Sequence, residues 1–321
     1  MSGIRQRTAT VNGVELAVTE AGEGPPVILS HGFPEGAWSW RHQLPTLAAG
    51  GYHAIAPDQR GYGRSSAPSD VAAYRVDHLA NDLVALLDET GHEQGVFVGH
   101  DWGAMIVWEL ARLHPERVRA VVGVSVPFVQ WPMPPLQAMR ATFGDRFFYI
   151  LYFQEVGVAE RELEADTYRT MARFLFAASG DNHREPPTEL PPMAGSTLLE
   201  LMPDPPEVLP AWLTDADIRH YADDFARSGF FGPLSYYRNL DANFEVVKDL
   251  GPDRLAMPSY FIAGAADGVL RMDPGGVERM QQLLPDFRGA TLIPGAGHWV
   301  QQEAPAEFDA ALLGFLASIG P

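Results

Sequence analysis

The stretch VFVGHDWGAM, residues 96–105, decides the fold. Its apolar run leads into Gly99, and Gly103 falls in the first turn of what the pattern predicts to be a helix. A sharp strand-to-helix turn with glycines on either side of one exposed residue is a nucleophile elbow. In most sequences of this shape the exposed residue is a serine, but here it is Asp101. The stretch therefore predicts a reactive carboxylate at the end of a strand.

Further parallel strands are predicted on both sides of this stretch. Near-continuous apolar runs are typical of parallel strands covered on both faces. The runs are PVILSHG (26–32), HAIAPDQ (53–59), GVFVGHD (95–101), RAVVGVSVPF (119–128), PSYFIAGAAD (258–267) and RGATLIPGAGH (288–298). Ahead of them, alternating apolar and polar residues around Asn12-Gly13 predict a β-hairpin.

Helical patterns separate these runs. The clearest span residues 76–91 and 102–118, and others lie near 275–284 and at the C-terminus. The pattern over 102–118 is apolar nearly all round, which predicts a buried central helix. One face of the last helix collects Phe308, Leu312, Phe315, Leu316 and Ile319. The alternation predicts an α/β fold with a mostly parallel sheet and helices on both sides.

Residues 129–243 interrupt this alternation. They are rich in aromatic residues and prolines and contain no parallel-strand pattern. We therefore expect a helical cap inserted between two strands. The predicted division is a core domain of residues 1–128 and 244–321 and a cap domain of residues 129–243.

Composition narrows the class of protein. The 321 residues carry a net charge of −18, which would repel phosphate backbones and makes nucleic acid an unfavourable partner. Every apolar run is interrupted well short of the roughly 20 residues of a membrane span. The polar N-terminus lacks the apolar core of a secretory signal, so a cytoplasmic enzyme without membrane association is expected. With no cysteine, a disulfide framework, zinc thiolates and a cysteine nucleophile are excluded.

Three polar residues follow predicted strands: Asp101 at the elbow, Asp267 after YFIAGAA, and His298 after LIPGAG. Functional groups gather at the carboxyl ends of strands in open parallel sheets. Taken singly, each aspartate could be a helix N-cap and the histidine a turn residue. In a hydrolase triad the chain order is nucleophile, acid, histidine, and these three residues follow that order. The occurrence of all three at strand ends in this order favours a catalytic role.

The motifs HGFPE (31–35), GHDWG (99–103), YRN (237–239) and GHW (297–299), with an Asp after the penultimate strand, are the basis of a family resemblance. With these motifs the sequence resembles the soluble and microsomal-type epoxide hydrolases of the α/β-hydrolase superfamily, from about residue 10 to the C-terminus. LYFQEVGVAERELE (151–164) extends it into the expected cap. The resemblance implies an α/β-hydrolase fold with an eight-stranded sheet under the cap, and neither cofactor nor metal. The implied partners are a small apolar epoxide and water.

An aspartate nucleophile makes sense where an alkyl carbon is attacked. A carboxylate can displace a strained or good leaving group from such a carbon and form an alkyl ester. Water can then attack the ester carbonyl, and His298 oriented by Asp267 would take its proton. The backbone N–H of Trp102, directly after the nucleophile, would be one oxyanion donor.

The remaining roles are implied by the resemblance. Phe33 N–H would be the second oxyanion donor, turned inward by a cis bond to Pro34. Tyr152 and Tyr237 would hang from the cap and donate to the epoxide oxygen, with Tyr236 as the alternative to Tyr237. A buried packing role is an equal alternative for each tyrosine taken alone. The expected substrate-binding residues are Phe33, Trp102, Tyr152, Tyr237 and Trp299.

Other polar and aromatic residues are expected to support the site without reacting. His100 is predicted to pack at the strand end, and His31 and Asp58 to lie behind the site or in a turn. Phe143, Phe148 and Trp212 are predicted to divide between core and pocket wall.

Two other functions remain open at this point. A haloalkane or haloacetate dehalogenase uses the same Asp–His–Asp logic, but it needs N–H donors for a halide where this cap offers phenols. A catalytically idle small-molecule receptor would not need a water-activating histidine.

Overall fold

The structure is a computed structural model that describes residues 3–184 and 189–320. Its eight strands are β1 (Arg5–Val11), β2 (Val14–Ala21), β3 (Pro26–Ser30), β4 (His53–Pro57), β5 (Gly95–His100), β6 (Val118–Val124), β7 (Ser259–Gly264) and β8 (Phe287–Ile293). They form one sheet in the order β1-β2-β4-β3-β5-β6-β7-β8. The sheet is parallel from β4 to β8, and β2 pairs antiparallel with β1 and with β4. The prediction of an eight-stranded, mostly parallel sheet is confirmed.

The predicted hairpin joins β1 and β2. Asn12 and Gly13 both have positive φ, 45° and 76°. A two-residue hairpin turn of this hand needs positive φ at both central positions, and asparagine and glycine tolerate it best.

The described residues also contain fifteen α-helices: α1 (Gln43–Ala49), α2 (Val76–Asp88), α3 (Trp102–Leu113), α4 (Pro135–Phe143), α5 (Tyr149–Tyr152), α6 (Val158–Leu163), α7 (Thr167–Ala177), α8 (Leu198–Leu201), α9 (Asp215–Ser228), α10 (Phe231–Arg238), α11 (Leu240–Val247), α12 (Gly268–Met272), α13 (Gly276–Leu283), α14 (Val300–Glu303) and α15 (Pro305–Ser318). The central helix α3 is buried, as predicted, but ends at Leu113 and not at 118. Pro115 explains the earlier end, because the residue before a proline is pushed out of the helical region.

Helices cover both faces of the sheet. Successive strand residues point to opposite faces, and in β3 Ile28 packs on the same side as α2 and α3, whereas Val27 and Leu29 pack on the side of α1 and α15. On α15 the residues Phe308, Leu312, Phe315 and Leu316 are buried, and Ile319 lies just past the helix end.

Between β6 and β7 the described residues form the helices α4 to α11 and add no strand to the sheet. Several of their side chains pack on the loop after β3. For example, Phe153, Phe174 and Tyr237 meet the ring of Phe33. The cap boundaries at 129 and 243 stay a prediction. Among the helices the structure describes, none has both the length and the apolar character to cross a membrane.

Candidate active site

The turn between β5 and α3 holds Asp101 in a rare backbone conformation, with φ of 52° and ψ of −116°. Its neighbours leave no room for larger residues. A Cβ on Gly99 would lie 2.1 Å from the carbonyl oxygen of Gly103, and a Cβ on Gly103 would lie 2.0 Å from that of Ser30. Strained backbone of this kind persists only where surrounding packing enforces it. The elbow therefore presents Asp101 at the carboxyl end of the sheet.

The three residues predicted at strand ends are brought together. The Nδ1 atom of His298 lies 3.1 Å from Oδ2 of Asp267, and its Nε2 lies 3.6 Å from Oδ2 of Asp101. Asp267 is 1% exposed and His298 is 7% exposed, so both are shielded from water. His298 thus lies between the carboxylates of Asp101 and Asp267, the arrangement expected if Asp101 is the nucleophile, His298 the base and Asp267 the orienting acid.

The helix-capping alternative applies to one of the two aspartates. Asp267 accepts a hydrogen bond from the N–H of Val269 at 2.8 Å and caps α12 while it also holds His298. Asp101 occupies the N-cap position of α3, but its side chain makes no capping bond. The Asp101 carboxylate is left free for a partner other than its own helix.

Charge coupling sets the protonation of this cluster. Burial lowers the pKa of His298, but the charges and hydrogen bonds of Asp267 and Asp101 outweigh it, and the pKa lies well above its usual value. Burial raises the pKa of Asp101, but the nearby His298 ring and the N–H of Phe33 outweigh it, and the pKa falls below its usual value. The resting pair is an imidazolium beside a carboxylate.

One backbone N–H group bonds the Asp101 carboxylate, and a second, that of Trp102, directly follows Asp101 in the chain. Phe33 N–H donates to Oδ1 of Asp101 at 2.8 Å, and the bond from Phe33 to Pro34 is cis. Trp102 is the first residue of α3, where a helix leaves its N–H groups without intrahelical acceptors. Oδ1 therefore lies where negative charge on that oxygen would be stabilised.

Two cavities share Asp101, Tyr149 and Tyr237 in their walls. The acid-side cavity, of 300 Å³, is also lined by Asp267 and His298. The helix-side cavity, of 440 Å³, runs along α3. Burial and the charge of Asp101 raise the pKa of both tyrosines far above its usual value, so both phenols stay protonated. Two protonated tyrosines and one carboxylate therefore line the same cavity walls.

The expected position of Tyr152 needs correction. Its hydroxyl donates to Oε2 of Glu162 at 2.8 Å, and its ring is in neither cavity wall. Tyr149, three residues earlier in the single-turn helix α5, takes its place beside Tyr237. The alternative Tyr236 is also turned away, since its buried hydroxyl donates to the carbonyl of Arg60 at 2.8 Å.

His100 and Glu35 form a buried support under the site. The Nε2 atom of His100 lies 2.7 Å from the carbonyl of His298, and its Nδ1 lies 2.6 Å from Oε2 of Glu35. Burial raises the pKa of Glu35, but the charge of His100 outweighs it and lowers the pKa below its usual value. His100 was expected to pack here. Glu35 received no role from the sequence, although it ends the HGFPE motif.

The other supporting residues are also buried. The Nδ1–H of His31 donates to the carbonyl of Gly32, and its Nε2 accepts from the N–H of Gln59, which makes the ring neutral. Burial lowers the pKa of His31, in agreement with that state. The carboxylate of Asp58 accepts from the N–H of Ala37 at 2.9 Å.

Only some of the aromatic residues that were predicted to line the substrate pocket lie in a cavity wall. Phe148 lines the helix-side cavity, and Phe143 stacks on it at a centroid distance of 4.0 Å. Trp299 lines the acid-side cavity and donates to the carbonyl of Leu175. Trp212 points its N–H to Ser179 instead.

Within residues 3–184 and 189–320, no group of three or more metal-ligating side chains could hold a metal ion.

Comparison with known proteins places this geometry in context. A family model described as alpha/beta hydrolase fold matches residues 25–188. Epoxide hydrolase A of Mycobacterium tuberculosis is 46% identical, and the alignment covers 99% of each chain. The crystal structure of epoxide hydrolase A from Mycobacterium thermoresistibile superposes with a TM-score of 0.91 at 48% identity, covering 98% of each chain. An epoxide hydrolase from an endophytic Streptomyces gives a TM-score of 0.93 at 38% identity, covering 99% and 97%.

Proposed function

The chain belongs to the epoxide hydrolases of the α/β-hydrolase fold, and on that premise we propose that it turns a small apolar epoxide into a vicinal diol through a covalent ester on Asp101. One observation carries the proposal: the Asp101 carboxylate and the phenols of Tyr149 and Tyr237 share the wall of one space. A carboxylate can attack a strained alkyl carbon, and a phenol can receive the charge that leaves it.

In the first step, Oδ2 of Asp101 attacks one ring carbon. The carbon–oxygen bond of the epoxide breaks, and its electron pair stays on the epoxide oxygen. Oδ1, which accepts the N–H of Phe33, becomes the carbonyl oxygen of the new ester. The low pKa of Asp101 keeps this nucleophile ionised at neutral pH.

Tyr149 and Tyr237 hydrogen-bond the epoxide oxygen as its charge develops, and one of them gives it a proton. A tyrosine is a stronger acid than an alcohol, yet it remains protonated at neutral pH. Removing the charge of Asp101 in the ester also removes the largest nearby charge that opposes ionisation of either phenol. The proton donor thus becomes easier to ionise as the alkoxide forms.

In the second step, His298 takes a proton from a water molecule that attacks the ester carbonyl. Ester formation removes the charge of Asp101, which helps hold the pKa of His298 high, so the ring can pass its proton to the phenol that was ionised in the first step and then act as a base. Asp267 stays paired with Nδ1 and orients the ring. The oxyanion forms on Oδ1, where the backbone N–H groups of Phe33 and Trp102 donate. It collapses as the bond between Cγ and Oδ2 breaks, and Oδ2 takes a proton from His298 and leaves in the diol. The oxygen from water stays on Asp101, whose carboxyl group returns its proton to His298 and restores the resting pair.

The two phenols favour an epoxide over an alkyl halide as the substrate. A departing halide needs no proton, and hydroxyls that can give one are useful where an alkoxide leaves. The apolar rings around the cavities favour an apolar epoxide.

A single turnover with excess enzyme in heavy-oxygen water tests the covalent path. The added diol oxygen comes from Asp101, so we expect an unlabelled diol and a labelled Asp101 peptide. Repeated turnover should then label the diol. A labelled first-turnover diol with an unlabelled Asp101 peptide would mean that water attacks the epoxide directly, and the proposal would be wrong.

A further inference from the structure

The helix-side cavity follows one face of α3 away from the nucleophile. From that helix it is lined by Trp102, Met105, Trp108, Glu109 and Arg112, which recur at helical spacing. Glu109 lies eight residues after Asp101, a rise of about 12 Å along the helix. An elongated substrate with its ring at Asp101 could extend its arm along this path.

Glu109 is a polar group in the wall of a mostly apolar cavity. Its Oε2 accepts from Nη1 of Arg112 at 2.7 Å, and its side chain is 17% exposed. No donor among residues 3–184 and 189–320 is bonded to its Oε1. Burial raises the pKa of Glu109 to about 7, although Arg112 opposes the shift.

Arg112 is committed to the protein around it. Its Nη2 donates to the carbonyls of Val247 and Leu250, and its Nη1 donates to Glu109. The side chain is 2% exposed, so it offers no free charged end to the cavity.

The other cations in this wall are paired as well. Lys248 is bonded to Glu245, and Arg279 is bonded to Asp273. Glu109 therefore keeps an accessible oxygen where the neighbouring cations are already paired.

We propose that Glu109 is a specificity-determining residue that binds a hydroxyl group at the far end of the substrate's apolar arm. The inference rests on the proposed function and names its substrate class: an epoxide with an arm of about 12 Å that ends in a hydroxyl. A hydroxyl suits this group in both charge states. It donates to the carboxylate and accepts from the carboxylic acid.

Methyl and carboxylate arm ends fit less well. A methyl end would cover Glu109 and leave its oxygen buried without a hydrogen-bond partner. A binding site discriminates most strongly against a substrate that leaves one of its buried polar groups unpaired in this way. A carboxylate end would meet the negative charge of Glu109 above about pH 7.

Three epoxides that share the ring and the arm length, ending in hydroxyl, methyl or carboxylate, test the inference. For the wild type we expect kcat/KM for the hydroxyl compound to exceed that for the methyl compound about tenfold. Glu109→Leu should reduce this ratio to about one, and Glu109→Gln should keep much of it. Comparing two substrates on one preparation cancels any loss of folded enzyme.

Glu116→Leu is the matched control. It removes a carboxylate just past the end of α3 that is 65% exposed and outside the cavity wall, so the ratio should stay near that of the wild type. A ratio near one in the wild type would overturn the inference even if Glu109→Leu failed to fold. A preference for the carboxylate compound, or an unchanged ratio in Glu109→Leu, would overturn it too.

The test separates this inference from the proposed function. If styrene oxide is hydrolysed with oxygen transfer from Asp101 but none of the three long epoxides reacts, the substrate class is wrong and the mechanism stands. If the first-turnover diol is labelled with every epoxide, the mechanism itself is wrong.

Discussion

Replacing Tyr149 by phenylalanine should slow epoxide opening, whereas the same change at Tyr152 should not. Both substitutions remove one phenolic oxygen from α5. Only Tyr149 borders the space next to Asp101, while Tyr152 donates to Glu162. The pair separates a role in the reaction from a role in packing.

The expected magnitude follows from the number of donors. Losing one preorganised donor to developing charge costs roughly 3 kcal/mol where it acts alone, about a hundredfold in rate. In the proposed mechanism Tyr149 and Tyr237 donate to the same epoxide oxygen, so each single change should cost about ten- to a hundredfold in rate and the double change more than about a thousandfold. Tyr152→Phe loses one hydrogen bond, about 1 kcal/mol of unfolding free energy, with little change in rate.

Stopped-flow quenching of tryptophan fluorescence under excess enzyme would report the opening step, and thermal unfolding would report stability. A Tyr152→Phe enzyme that opens the epoxide as slowly as Tyr149→Phe would refute the assignment. So would a Tyr149→Phe, Tyr237→Phe double variant with the wild-type opening rate.

Four more changes address the triad and the elbow. His298→Gln should gain the mass of the epoxide in intact-protein mass spectrometry, because opening needs no base whereas ester hydrolysis does, and Asp101→Asn should gain none. Asp267→Asn should lower the pKa of His298, seen by titrating its ring by NMR. His298 has a higher pKa in the folded protein than its unfolded pKa of 6.5, so protonation of its ring stabilises the fold. This stabilisation is fully present below pH 6.5 and is lost as the pH rises through the folded pKa. Asp267→Asn should therefore flatten the dependence of the unfolding free energy on pH in this range, measured by urea unfolding. Gly99→Ala should lower Tm or abolish soluble expression, since its Cβ would lie 2.1 Å from the carbonyl oxygen of Gly103, and an unchanged Tm would contradict the packing described.

The sheet and the triad could be predicted because their signals are local. Apolar runs mark the strands, and Asp101, Asp267 and His298 each directly follow one of them. Parallel strands bring their carboxyl ends to one edge, so sequence position alone was sufficient to bring these residues together.

The choice between Tyr149 and Tyr152 could not be made in the same way. Both tyrosines lie in FFYILYF. Which of them borders the cavity is decided by the residue at which a single-turn helix begins and by a hydrogen bond from Tyr152 to Glu162, ten residues further along the chain. Helix boundaries and partners of this kind are set by tertiary packing. The supporting role of Glu35 was not predicted for a related reason, because its hydrogen-bond partner His100 lies 65 residues away in the sequence.

The fastening of His298 has a consequence for how the enzyme fails under heat. Its N–H is bonded to the carbonyl of Ala178, and its own carbonyl accepts from His100 and from the Oγ of Ser125. Those partners follow α7, end β5 and follow β6, so the base cannot swing out without disturbing the centre of the sheet. Segments tied into a sheet core open only with the larger cooperative unit to which they belong. Heating should therefore leave His298 in place until the core itself melts, so any inactivation that precedes global denaturation should come from the helices that carry Tyr149 and Tyr237.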